Sequence, residues 1–171
     1  KKAAAKDRIE AKRQELKDRL LKVKDERKKQ AVERVDRGLE ELNARQVKHF
    51  SEVLEKLDRV LNNISGRADK AAANGRDITG VGAVVTEAKN AIAAARSAVE
   101  AKAGKTYVVT ISEEAMLRQD VGKTREALHT DLVKVRETIR AAHDAVRKAA
   151  VTLAQIPRVD ELEIAPASIN Q

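Results

Sequence analysis

Residues 117–156 read LRQDVGKTREALHTDLVKVRETIRAAHDAVRKAAVTLAQI, and their apolar positions decide the fold. Leu117, Val121, Thr124, Leu128, Leu132, Val135, Ile139, Ala142, Val146, Ala149, Leu153 and Ile156 advance in steps of three and four. That spacing draws one apolar stripe along a helix and leaves the charged side chains on its other faces. Pro157 cannot carry the helix further.

An earlier stretch repeats the pattern. Val32, Val35, Leu39, Leu42, Phe50, Leu54, Leu57, Leu61 and Ile64 form a stripe in which Gln46 fills one position, and no proline occurs from Ala3 to Ala73. One continuous helix is therefore expected there, ended by Asn74-Gly75 with glycine as the left-handed cap residue. Asp77 or Thr79 then caps a second helix with the seam Val81, Val85, Ala88, Ile92, Ala95, Val99, and Gly104 stops it. Tyr107-Val108-Val109-Thr110-Ile111 is the single β-like run. It is too short and solitary for a sheet, so residues 104–111 are expected to form an extended connector. The connector should lie along the bundle, with Tyr107 or its valines over the seam. Ser112 is the expected N-cap of the last helix, with Glu113 and Glu114 in its first turn.

These elements predict an all-α fold: an elongated up-down-up three-helix bundle, or coiled coil, over residues 32–156. At ~1.5 Å per residue the first and last helices are each roughly 65 Å long. Residues 1–31 are then left over as an overhanging stalk, and residues 157–171 as a loose tail.

Composition agrees with a slender bundle. Phe50 and Tyr107 are the only aromatic residues among 171, tryptophan is absent, and 36% of the chain is charged. A core without rings must be built from narrow stripes of Leu, Val, Ile and Ala. The longest uncharged stretch, Ile78 to Thr86, is too short to span a bilayer. Zero cysteine removes disulfides, thiolate catalysis and cysteine-ligated metals.

Charge is distributed unevenly. Residues 1–31 hold 13 Lys/Arg and 6 Asp/Glu, whereas the other 140 residues hold 22 and 21. Lys12, Arg13, Lys17, Arg19, Lys24, Arg27, Lys28 and Lys29 are thus candidate contacts for nucleic acid or another polyanion. Against this, acids are interleaved and no aromatic is present for base stacking, which favours a solvated helix. On the same segment Ile9, Leu16, Leu20 and Val23 form an apolar seam. With no partner inside the predicted geometry, that seam is expected to bind a second copy or another helix.

Catalytic, cofactor and metal residues are not expected. His129 and His143 are 14 residues apart, roughly 21 Å along a helix, and His49 is isolated from both in sequence. Gly104-Lys105-Thr106 and Gly122-Lys123-Thr124 superficially match a phosphate-binding loop. The upstream glycine that such a loop needs is Val99 in one and Leu117 in the other.

Four segments carry a family resemblance: Asn74-Gly75-Arg76-Asp77-Ile78-Thr79, Tyr107-Val108-Val109-Thr110-Ile111-Ser112, Arg125-Glu126-Ala127-Leu128-His129-Thr130-Asp131-Leu132 and Ala154-Gln155-Ile156-Pro157. In these, residues 65–160 resemble uncharacterised exported helical (coiled-coil) proteins of reduced-genome bacteria. The resemblance implies a leader ahead of the basic helix and an extracellular or cell-envelope location. It implies no activity. The sequence thus points to a non-enzymatic structural or interaction protein that assembles with itself or a surface scaffold. The alternative is an electrostatic binder of polyanions.

Overall fold

The computed structural model describes the backbone of residues 2–156 and the side chains of residue 7 and residues 9–156. The tail assigned to residues 157–171 lies outside the described residues. Four helices dominate: α1 (Lys2–Leu20), α2 (Glu26–Ala73), α3 (Thr79–Ala103) and α4 (Leu117–Ala154), with a 3-10 turn at Glu114–Met116. Among the described residues there is no strand, so the all-helical expectation holds. No helix is long and apolar enough to cross a membrane among those residues. The described residues form two compact units, one of residues 2–52 with 96–137 and one of residues 53–95 with 138–156.

The second unit is the simpler. The α2 seam there is Leu54, Leu57, Leu61 and Ile64, continued by Ala68 and Ala71, and all six are buried. Val81, Val85 and Ile92 from α3 and Val146 and Leu153 from α4 are also buried. Between them sit Ala88, Ala95, Ala142 and Ala149, each at 0% exposure and spaced seven apart on its own helix. Side chains this small allow close helix approach. Lys148 bonds Glu87 at 2.8 Å, tying α4 to α3.

The turn between α2 and α3 follows its residues closely. Gly75 has φ +73°, and the amides of Gly75 and Arg76 bond back to the carbonyls of Ala72 and Ala71. This pair of bonds is a Schellman cap, which only glycine adopts without strain. Asp77 Oδ1 accepts from the Thr79 amide at 2.9 Å and from its hydroxyl at 2.7 Å, organising the start of α3.

The first unit corrects the predicted stalk. Residues 21–25 interrupt the expected continuous helix. Asp25 Oδ1 accepts from the amides of Arg27 and Lys28 and so caps α2. The place is marked in the pattern: from Lys24 to Gln30 no apolar residue occurs, so the apolar stripe of α1 is not continued into α2. The chain turns instead, and Leu16, Leu20 and Val23 are 5%, 3% and 3% exposed. Ile9 is half-buried and lines a small hollow with Tyr107 and Val108. Three of the four residues of the seam predicted to seek a partner are therefore covered by this chain's own residues, and residues 2–31 belong to the same compact unit as residues 32–52 and 96–137.

The seam's burial has a measurable consequence. Leu20→Ala removes buried methyl groups and should lower stability by about 2–5 kcal/mol. A side chain on a solvated stalk would change stability by well under ~1 kcal/mol. Chemical denaturation followed by circular dichroism separates the two outcomes.

Candidate functional site

The most polar part of the interior surrounds residues 104–113, the extended strap that joins α3 to the 3-10 turn. Its alternating side chains decide its position: Tyr107, Val109 and Ile111 are buried, while Thr110 is exposed. The run read as a connector is non-helical and turns alternate side chains into the packing. An extended strap paired with no other strand leaves its backbone groups to be satisfied by side chains. Asp36, itself 5% exposed, accepts from the Val109 amide at 2.8 Å. Asp120, 6% exposed, accepts from the Ser112 amide at 2.8 Å and from its hydroxyl at 2.7 Å. Ser112 therefore donates its hydroxyl rather than capping the last helix, and Glu113 takes the cap position with no side-chain bond. Arg19 donates to the Ile111 carbonyl, fastening α1 to the strap.

Asp131 completes the set. Its Oδ2 accepts from the Lys105 ammonium at 2.8 Å and from the Tyr107 hydroxyl at 2.6 Å. These two bonds, Lys105 first, hold its carboxyl below the usual carboxylate range. The Ser112 bonds do the same for Asp120. Burial, and then the bond to Asp131, pushes the Tyr107 phenol well above its ordinary value.

Lys102 is the least expected residue of the core, at 2% exposure. Its ammonium donates to Asn43 Oδ1 at 2.6 Å and stands 3.8 Å from the centroid of the Tyr107 ring. A carbonyl dipole and a ring face compensate only part of the lost hydration. Burial accordingly pulls its pKa down to about 8, against the opposing pull of Asp131, while Lys105 lowers it further. Sequence reading missed this residue because it sits one step past the last seam valine, Val99, where a lysine ordinarily reads as surface. Its three-residue spacing from Val99 was the available signal.

An amine that titrates near neutrality can act as a nucleophile when it faces a substrate. Lys102 instead points at Asn43 and the Tyr107 ring, inside the packing. The neighbouring open hollow, of about 600 Å³, is lined by Lys12, Lys105, Lys123 and Asp131 among others. Both Gly-Lys-Thr runs reach it, and neither offers a phosphate cradle. Gly104 and Lys105 donate their amides to Glu100 and Lys102 at the C-terminal end of α3, and Gly122 and Lys123 lie within α4. A phosphate loop needs amides pointing outward at a helix N-terminus.

The sequence-predicted cations divide into two groups. Arg13 pairs with Glu40, Arg19 with Glu15, Lys28 with Glu114 and Asp25, and Lys29 with Glu26. Lys12 donates to Thr106 at 3.4 Å. The side chains of Lys17, Lys24 and Arg27 are exposed, with no carboxylate partner among the described residues. His49, His129 and His143 are all exposed, and no group of three or more His, Asp or Glu is placed to hold a metal among the described residues. No protein-family model, curated protein or solved structure matches the chain.

The cluster predicts how stability depends on pH. Lys102 titrates at about 8 when folded against 10.5 ordinarily, so between these values the unfolded chain binds more protons. Stability should therefore rise with pH from about 8 toward 10. Above 10.0, the ordinary value for tyrosine, the raised pKa of Tyr107 makes stability fall again. Thermal melts across this range should show the maximum, and Lys102→Met should abolish the rising limb.

Proposed function

We propose that this chain is a non-enzymatic helical interaction protein that docks electrostatically on a polyanionic partner through its first unit. The carrying observation is the division of charge. Residues of the first unit hold 25 Lys/Arg against 18 Asp/Glu, and those of the second hold 10 against 9. One run of exposed cations with no carboxylate partner among the described residues lies in that unit: Lys17, Lys22, Lys24 and Arg27 follow one another around the turn from α1 to α2. A charge-led contact suits a partner with closely spaced negative groups, such as nucleic acid or an acidic polysaccharide.

In this reading the helical segments form an up-down-up bundle, or coiled coil, that serves as a rigid carrier for the charged surface. The resemblance to exported helical proteins of reduced-genome bacteria supports an extracellular or cell-envelope setting, with a structural role beside a surface scaffold. Polar groups around the strap are spent on holding it, which supports a role without catalysis. Self-association through Ile9, Leu16, Leu20 and Val23 is no longer part of the reading, because that seam is internal.

Binding to heparin and to duplex DNA, titrated with salt, tests the proposal. On DNA, log K should fall linearly with log salt, with a slope of about −0.9 for each phosphate neutralised. Changing Lys17, Lys22, Lys24 and Arg27 together to Glu should remove binding at least tenfold more than the same four-charge change at Arg59, Lys70, Lys89 and Arg147 in the second unit. Equal loss in the two variants, or no binding at low salt, would overturn it.

A further inference from the structure

The first turns of α2 and α4 enclose a second feature, an apolar groove of about 530 Å³. Val32, Val35, Leu117 and Val121 line it. Val32 and Leu117 are nearly closed over, whereas Val35 and Val121 keep part of their surface open. Gly122 adds room, since a Cβ built there meets nothing within 4 Å. At the rim stand Arg118 and Arg125, exposed and with no carboxylate partner among the described residues. They are seven residues apart on α4, hence on one side of it and roughly 10 Å from each other. Lys28 also reaches the rim, but its charge is spent on Glu114.

An apolar floor edged by two unneutralised guanidinium groups fits an acidic segment with apolar residues between its charges. This chain contains such a segment beyond the described residues: Val159-Asp160-Glu161-Leu162-Glu163-Ile164, lying between Pro157 and Pro166. We propose that residues 159–164 of a second copy of the chain dock in this groove. Val159, Leu162 and Ile164 supply the apolar contact, and the three carboxylates meet Arg118 and Arg125. The segment cannot serve its own chain. Along α4, 33 residues separate Val121 on the groove floor from Ala154, roughly 50 Å of helix, and even the ten residues on to Ile164 reach back at most roughly 36 Å. Exchanged reciprocally, the contact closes a two-fold pair, and passed on in one direction it generates a ring or an open chain of copies. It uses none of the lysines of the polyanion surface, and either reading can fail without the other.

Sedimentation velocity over a range of concentrations tests it. The unmodified chain should form concentration-dependent assemblies. Gly122→Trp fills the groove and should return the chain to monomer, with Gly122→Ala as the control that still assembles. Asp160→Lys, Glu161→Lys and Glu163→Lys together should also give monomer, and adding Arg118→Glu and Arg125→Glu to that chain should restore assembly by swapping the charges. Circular dichroism melts check that each variant stays folded. A monomer at every concentration overturns the proposal, and so does assembly that survives removal of residues 157–171.

Discussion

One constraint organises the first unit: a ten-residue strap must bury Tyr107, Val109 and Ile111 without the hydrogen bonds that a sheet would give its backbone. Three aspartates answer it. Asp36 from α2 takes the Val109 amide, Asp120 from α4 takes Ser112, and Asp131 from α4 takes the tyrosine hydroxyl. Without Asp36 the buried Val109 amide would be left an unpaired donor, at about 1–3 kcal/mol. The second unit faces no comparable demand, because its described residues are helical except at 74–78 and 155–156. All three buried charged residues among the described residues, Asp36, Lys102 and Asp120, accordingly belong to the first.

The strap also explains the fate of the N-terminal residues. Ile9 shares a hollow with Tyr107 and Val108, and Arg19 bonds the Ile111 carbonyl. Glu114 receives the Lys24 amide at 3.0 Å, so the α1–α2 turn is fixed from the strap's far end as well. That bond, first of all, together with Lys28, holds the Glu114 carboxyl below its ordinary range. A segment that carries most of the chain's excess positive charge is thereby held against the body by a few specific acceptors. Its remaining cations face outward.

Periodicity made most of the helical content legible. The α3 seam is buried throughout and those of α2 and α4 for the most part, with Val35, Leu42, Val121 and Ile139 only partly covered, and Asn74-Gly75 ends α2 as glycine's conformational freedom requires. The expected extended connector is present and covered. What failed was the break at residues 21–25. A search for proline and glycine does not detect a turn made by Asp25 and by a lapse in apolar residues, although both marks are in the sequence. The buried lysine escaped for a different reason: its place depends on Asn43 and Tyr107, 59 residues before and five after, and no local pattern brings the three together. The acidic anchors Asp36, Asp120 and Asp131 were hidden in the same way, each looking like an ordinary exposed helix residue.

The alanine positions of the second unit carry one more consequence. Ala88 and Ala95, like Ala142 and Ala149, recur at a heptad interval. A translation of α4 against α3 by one full repeat would bring Ala142 to the level that Ala149 holds now, so these residues alone do not define the sliding coordinate. Alignment must come from the bulkier Ile92 and Val146, and from the Lys148–Glu87 bridge, which a shift of roughly 10 Å would break. Close approach and a unique vernier are thus supplied by different side chains, the small ones setting how near the helices lie and the large ones setting where.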